Sequence, residues 1–283
     1  MFADVTSANV VGYANTTVAE KGYFPVVPYF TSLVKEGQKV DIQDIQMGAD
    51  VGNSGANIQI FDKDLAHART YNWFKNNKGL AGPSKDAAQP VPEGKNGLWF
   101  KAVLTESGAT TGTYVWDANA TLDYGESVML FVGTDGKTFT VSGAVQNTKG
   151  EDAGVFTLTT TDKGYYPLGN PFASQIDLQD IQMDANVGNS GANIQIFDKD
   201  FAHLATYNWF KNNKGLAGPS KDAAQPVPEG KNGLWFKAIL TESGATTGTY
   251  EWDGTKKFSA GDGFQLFVGT DNRTVTITCP YSL

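Results

Sequence analysis

The chain has few of the residues on which many functional classes depend. Of its 283 residues, only one is a cysteine and only two are histidines. A single cysteine excludes an internal disulfide framework and any zinc site built from cysteines. Charged residues make up only 18% of the chain, and the net charge is −8. Because no basic stripe is present to neutralise phosphates, nucleic acid is not expected as a partner.

Long apolar runs and catalytic motifs are also missing. No run approaches the roughly 18 to 20 residues that cross a bilayer, so we predict no membrane span. No signal peptide is recognisable, although the opening Met1 to Asp4 is compatible with the remnant of a removed leader. The chain has no nucleophile elbow, phosphate-binding loop or His-Glu-x-x-His motif. We therefore predict a protein that is not an enzyme, with a carboxylate-pair glycosidase as the alternative that spacing alone does not reveal.

An internal duplication dominates the sequence. The residues from Asp41 to Asp117 return at Asp177 to Asp253 with an offset of 136, and only eight of the 77 positions differ. These pairs are Ile42/Leu178, Gly48/Asp184, Asp50/Asn186, Leu65/Phe201, Ala68/Leu204, Arg69/Ala205, Val103/Ile239 and Val115/Glu251. Upstream, Lys21 to Pro25 matches Lys163 to Pro167 after a six-residue insertion in the first copy, at about Leu33 to Gln38. The sequence thus predicts two domains, residues 1–147 and 148–283, joined in the polar stretch from Gln146 to Asp152.

Glycine, aromatic and β-branched residues predict an all-β fold. The chain has 32 glycines and 12% aromatic residues, and short alternating segments recur between turn residues. Asn96-Gly97 predicts a tight hairpin turn, and Asp41 to Met47 a helix of one or two turns. We expect two tandem, jelly-roll-like β-sandwich domains.

Differences between the copies indicate which side chains face solvent. Val115 becomes Glu251, so its neighbours Tyr114 and Trp116 are predicted to face the core. Met129 becomes Gln265, which predicts an outer position for that pair. By strand parity, the inner face then carries the pairs Val128/Phe264, Leu130/Leu266 and Val132/Val268.

Short motifs in the flanks resemble a known family pattern. They are Val10-Val11-Gly12-Tyr13, then Gly164-Tyr165-Tyr166-Pro167 with Asn170-Pro171-Phe172, and finally Gly261-Asp262-Gly263-Phe264. This layout resembles large, uncharacterised families of secreted β-repeat proteins in environmental bacteria. The first copy departs from it, with Val27-Pro28-Tyr29-Phe30 in place of Asn-Pro-Phe. The resemblance implies a secreted, extracellular or cell-surface protein and carries no known activity.

Two polar groupings are candidate ligand sites. His67 and His203 repeat in the same context, and a surface or capping role is favoured over a metal or general-base role because no catalytic partners surround them. We predict no cofactor, with calcium as the alternative. Calcium is considered because hard cations prefer oxygen ligands. Its candidate ligands are Asp41, Asp44, Asp50, Asn53, Asp177, Asp180, Asp184 and Asn186. These residues are also common turn formers and helix caps.

Aromatic side chains provide the candidate glycan surface. Trp73, Trp99, Trp209 and Trp235 stand beside other aromatics, so one member of each adjacent pair faces outward on a strand. An outward ring either stacks on a sugar or lies beneath a loop or at an interface.

Self-assembly is the function that the pattern of divergence favours. The middle of each copy is almost unchanged while its ends differ, as expected if the ends contact different neighbours. Head-to-tail contacts of this kind propagate into a filament. The segment with Val5, Val10, Val11 and Tyr13 has strand character and no defined partner in its own copy, so it is the candidate donor strand for the next subunit. Gene conversion restricted to the middle of each copy is the alternative explanation for this pattern of divergence. The alternative function is a carbohydrate-binding adhesion module.

Overall fold

The computed structural model describes residues 11–32, 39–76, 89–103, 113–145, 154–212, 225–239 and 249–279. The predicted domain boundary at 147/148 lies outside these ranges. Within them the chain is all-β, as predicted, and its strands form antiparallel sheets. No helix in these ranges is long and apolar enough to cross a membrane.

The described residues of the first copy form twelve strands. They are β1 (Val11–Val18), β2 (Gly22–Val26), β3 (Phe30–Thr31), β4 (Lys39–Asp41), β5 (Ile45–Met47), β6 (Ala56–Phe61), β7 (His67–Phe74), β8 (Leu98–Val103), β9 (Thr113–Val115), β10 (Thr121–Asp123), β11 (Val128–Val132) and β12 (Lys137–Val145). The order β2-β11-β6-β7-β8-β9 forms a six-stranded sheet, and β1-β12-β3, with β5 also paired to β12, forms a smaller one. Strands β4 and β10 make a two-stranded ribbon.

The second copy repeats this order. Its strands are β13 (Val155–Thr160), β14 (Gly164–Gly169), β15 (Ile176–Asp177), β16 (Ile181–Met183), β17 (Ala192–Phe197), β18 (His203–Phe210), β19 (Leu234–Ile239), β20 (Thr249–Trp252), β21 (Lys257–Phe258), β22 (Gly263–Val268) and β23 (Arg273–Thr278). They form a six-stranded sheet β14-β22-β17-β18-β19-β20, a sheet β13-β23-β16 and a ribbon β15-β21. The sheets formed by the described residues have a propeller-like arrangement with four blades. The two tandem sandwiches stay a prediction.

Each copy buries one large apolar cluster between its two main sheets. In the first copy this cluster joins Ile58, Trp73 and Leu130 of the six-stranded sheet to Phe139 and Val141 of the smaller sheet. Parity correctly predicted the inner face, because Val128, Leu130, Val132 and their counterparts Phe264, Leu266 and Val268 are all buried. Tyr114 and Trp116 are half-buried against a separate small cluster formed by Phe74, Leu98 and Phe100. That cluster covers the opposite face of the same sheet.

Two local expectations need refinement. The short helix is a single 3-10 turn at Ile42–Asp44, followed directly by β5. The predicted Asn96-Gly97 turn is wrong: the turn lies at Pro92–Lys95, where Gly94 has φ +81° and the Lys95 N–H donates to the Pro92 carbonyl at 3.2 Å. Gly97 is needed for a different reason, since a Cβ there would lie 2.6 Å from the Phe74 carbonyl oxygen.

The prediction that Met129 faces solvent is also wrong. Met129 is buried, and with Pro25, Pro167 and Gln265 it lines a small gap between the two copies. The methionine-to-glutamine replacement therefore marks a contact between the copies rather than a wet surface.

Candidate functional site

The four tryptophans predicted to bind glycans lie in the cores. Trp73, Trp99, Trp209 and Trp235 each have 0% of their surface exposed, so the prediction of an exposed platform is wrong. The Trp73 and Trp99 rings meet edge to face with centroids 5.1 Å apart. Phe74 and Phe100, on the opposite face, are also buried. Both faces of these strands are covered, which the adjacent aromatic pairs alone did not reveal.

In each copy, a glutamine side chain is hydrogen-bonded to the backbone of one of these tryptophans. Gln43 is buried, donates from Nε2 to the Trp99 carbonyl at 2.9 Å and accepts the Trp99 N–H at Oε1 at 3.0 Å. Gln179 makes the same pair of bonds to Trp235. The side-chain amide thus replaces a neighbouring strand, a role that was not predicted from the sequence. Its only signal was the repeated Ile-Gln-Met segment with a second glutamine upstream.

The first-copy residues predicted to bind calcium have separate local partners. Asp41 accepts the Gln43 N–H at 2.8 Å, Asp44 pairs with Lys95 at 3.1 Å, Asp50 pairs with Lys137 at 2.7 Å, and Asn53 donates to Asn76 at 3.4 Å. The hydrogen bond from Lys137 holds the pKa of Asp50 below its usual range. Asp41 is thus a helix cap, one of the alternatives that turn chemistry had offered, while Asp44 and Asp50 are ion-pair partners.

The second copy follows the same pattern. Asp177 pairs with Lys257 at 3.5 Å and Asp180 with Lys231 at 3.3 Å, while Asp184 accepts the N–H groups of Asn186 and Thr274, both at 2.8 Å. Among the described residues, no three His, Cys, Asp or Glu side chains gather as a metal-binding group. The calcium prediction therefore gains no support from the geometry, and melting in chelator against millimolar calcium is its test.

The histidines lie at the surface. His67 and His203 are exposed, and Nε2 of each ring is hydrogen-bonded to the hydroxyl three residues later, Thr70 at 2.6 Å and Thr206 at 2.7 Å. This is the surface role that the sequence favoured.

The predicted donor strand is paired within its own copy. Val11 is opposite Ala144 and Tyr13 is opposite Ser142 in the antiparallel pairing of β1 with β12. The expectation that this segment lacks a partner is therefore wrong for Val11 and Tyr13, while Val5 and Val10 lie outside the described residues. The partner strand is more than 120 residues away in sequence, so local pattern gave no sign of it.

The two copies contact each other through equivalent surfaces. The contacts come in pairs, and from one member of a pair to the other the two copies exchange places. The Tyr23 N–H donates to the Lys199 carbonyl at 2.7 Å, and its counterpart Tyr165 donates to the Lys63 carbonyl at the same distance. Isolated bridges join Val26 to Asp262 and Glu126 to Leu168, which are again equivalent pairs. Such reciprocity describes a local two-fold relation, as at an isologous dimer interface.

Glycine and aromatic residues make this close approach possible. Gly22 has φ +150°, and a Cβ there would lie 2.9 Å from the Lys199 carbonyl oxygen. Phe201 packs against Tyr23 with ring centroids 4.7 Å apart. The copies are thus joined by backbone hydrogen bonds and ring contacts, and the structure of one chain already contains one repeat-to-repeat interface.

The outermost described strands of the six-stranded sheets differ in character. Val115 on β9 and Val103 on β8 are each 39% exposed. In the second copy, Glu251 replaces Val115 and stands opposite Lys237 in the pairing of β19 with β20. A charged edge resists further strand pairing, whereas an apolar edge does not.

No family model, curated protein or solved structure matches this chain. The resemblance to secreted β-repeat families therefore stays a prediction.

Buried tyrosines make the stability of the protein depend on pH in the alkaline range. Burial and the hydrogen bond to Asp117 raise the pKa of Tyr71 to about 12. Burial likewise raises the pKa of Tyr124 and Tyr207 above the ordinary range. Because the folded pKa exceeds the unfolded value of about 10, this stabilisation is complete below pH 10 and is lost as pH rises through 12.

We expect cooperative unfolding between about pH 10 and 12 that coincides with tyrosinate absorbance. A pH series followed by near-ultraviolet absorbance and circular dichroism measures both. In Tyr71→Phe/Tyr207→Phe, unfolding should move to higher pH, because two ionising groups are gone. Full ionisation of all tyrosines in a protein that stays folded would contradict the expectation.

Proposed function

We propose that this chain is an extracellular, non-catalytic structural protein that self-assembles into a surface filament or layer. In this proposal each copy is a jelly-roll-like β-sandwich. What supports the sandwich is the large apolar cluster that each copy buries between its six-stranded and smaller sheets.

The repeat-to-repeat contact limits how assembly proceeds. An isologous contact closes on itself and cannot propagate, and the chain uses this contact internally. A polymer therefore needs a second, heterologous surface. The two sides of that surface must come from positions at which the copies differ, although the cores of the copies are nearly identical.

The edge strand β9 carries the proposal. It lies at the end of its sheet, pairs with β8 on one side, and is joined on its second side by none of the described strands. Its exposed Val115 has the charged counterpart Glu251 on β20. We assign head-to-tail strand addition to the β9 edge, with the β20 edge protected by its charge.

Transferring the charge from one copy to the other tests this assignment. Val115→Glu should abolish polymers seen by negative-stain microscopy and sedimentation velocity. The folded state should survive, because glutamate already occupies the equivalent position in the second copy. Glu251→Gln is the matched control and should leave polymers intact. Polymers that persist in Val115→Glu, or a parent chain that remains monomeric at high concentration, would refute strand addition at β9.

A further inference from the structure

The contact between the copies has two equivalent halves, and they differ in the aromatic side chains that fill them. The turns at 121–126 and 257–262 have the same backbone: Gly125 has φ +84° and Gly261 has φ +81°. In both turns an acidic side chain accepts a backbone N–H three residues earlier, at 2.9 Å for Glu126 and 2.7 Å for Asp262. Tyr124 in the first turn corresponds to Ala260 in the second.

Tyr124 fills its half of the contact. Its ring belongs to the first copy by sequence but packs in the core cluster of the second, where it is 6% exposed. The ring centroid lies 5.8 Å from that of Phe156, and the hydroxyl donates to the Pro171 carbonyl at 2.5 Å. A phenol ring is thus held by apolar walls and one backbone acceptor.

Both rings are missing from the other half. Ala260 replaces Tyr124, and Ala14 replaces Phe156. The second correspondence follows from the strand pairing: Ala14 is opposite Val141, and Phe156 is opposite Ile277, which is the counterpart of Val141. The space left between the copies is a cavity of about 370 Å³. Ligand pockets begin at about 300 Å³, and an apolar cavity of about 150 Å³ already takes up benzene.

The walls of this cavity suit an aromatic ligand. They include Val18, Phe24, Val26 and Phe139 of the first copy and Ile196 and Phe258 of the second. Tyr29, the counterpart of Pro171, lines the cavity, as does Lys256, whose ammonium lies 4.8 Å from the centre of the Phe258 ring. A few polar groups at the margin of an apolar pocket orient a ligand that carries one hydrogen-bonding substituent.

We propose that this cavity binds a small phenolic compound, a single aromatic ring with a hydroxyl group. The chain contains its own example of the bound group, because the Tyr124 side chain occupies the equivalent position in the opposite half. This binding is independent of assembly, so Val115→Glu should leave it unchanged.

Calorimetric titration of the full chain with 4-methylphenol, the side chain of tyrosine as a free molecule, tests the proposal. We expect saturable binding at one site, and weaker binding of 4-methylcyclohexanol, which lacks the aromatic ring. Ala260→Tyr should lower the affinity at least tenfold and raise the melting temperature, because it fills the cavity as Tyr124 fills the other half. Tyr124→Ala should add a second site.

Two further variants make the result decisive. Ala14→Phe closes the cavity from the opposite wall and should also remove binding, so a folding failure of Ala260→Tyr does not end the test. Ala68→Tyr, an exposed alanine outside the cavity lining, is the matched control and should bind normally. Absence of binding to the native chain, or equal binding by native, Ala260→Tyr and Ala14→Phe proteins, would overturn the proposal.

Discussion

Replacing Trp99 by alanine should lower the free energy of unfolding of the first copy by about 3 to 5 kcal/mol. The side chain is completely buried, contacts Trp73, and donates from Nε1 to the Ile45 carbonyl at 2.6 Å. Truncation leaves a cavity and an unpaired buried carbonyl, and both effects destabilise. Because single domains are stable by about 5 to 15 kcal/mol, this loss is a large share of the total.

Denaturant unfolding of the variant measures this loss. Trp235→Ala should cost its own copy a similar amount, because its Nε1 donates to Ile181 at the same 2.6 Å. Trp116→Ala, at a half-buried position, is the control and should cost clearly less. Unchanged stability in Trp99→Ala, combined with a loss of sugar binding, would restore the glycan-platform hypothesis.

Much of the strand pattern could be predicted from sequence because it depends on local alternation. Comparing the two copies identified the inner face at Leu130 and Leu266, since parity along one strand is fixed by the pleat. The same comparison failed at Met129, because a replacement tolerated at a contact between copies resembles one tolerated in solvent. Parity reports which side a residue faces but does not report what covers that side.

The predicted sites failed for a related reason. The tryptophans are followed by phenylalanines on the opposite face, and a second small cluster around Phe100 covers that face as well. Nothing local distinguishes a covered outer face from an exposed one. The pairing of β1 depends on a strand 119 to 133 residues away, and the Tyr124/Ala260 difference gains meaning only when the two copies are placed in contact.

Replacing Tyr124 by alanine should destabilise the second copy, although the residue belongs to the first. The ring is part of the second copy's core, so we expect a loss of about 3 to 5 kcal/mol from the removed contacts and the cavity left behind. Tyr124→Phe should cost only about 1 kcal/mol, because it removes the hydrogen bond to Pro171 and keeps the ring. Native-state hydrogen exchange should therefore show faster exchange in β22 and β23 of Tyr124→Ala.

A double-mutant cycle with Phe156 separates the ring contact from a general weakening of the turn. The two rings touch across the contact between copies, so Tyr124→Ala and Phe156→Ala should be non-additive by about 0.5 to 3 kcal/mol. Leu158→Ala lies on the same strand as Phe156 and is the control, for which the two losses should add. If Tyr124→Ala accelerates exchange only in the first copy, or if its loss adds fully to that of Phe156→Ala, then Tyr124 does not couple the two copies. If Tyr124 couples the two copies, they should unfold together in one transition. In Tyr124→Ala this transition should split into two. Among the described residues, this ring is the largest side chain that one copy places in the core of the other.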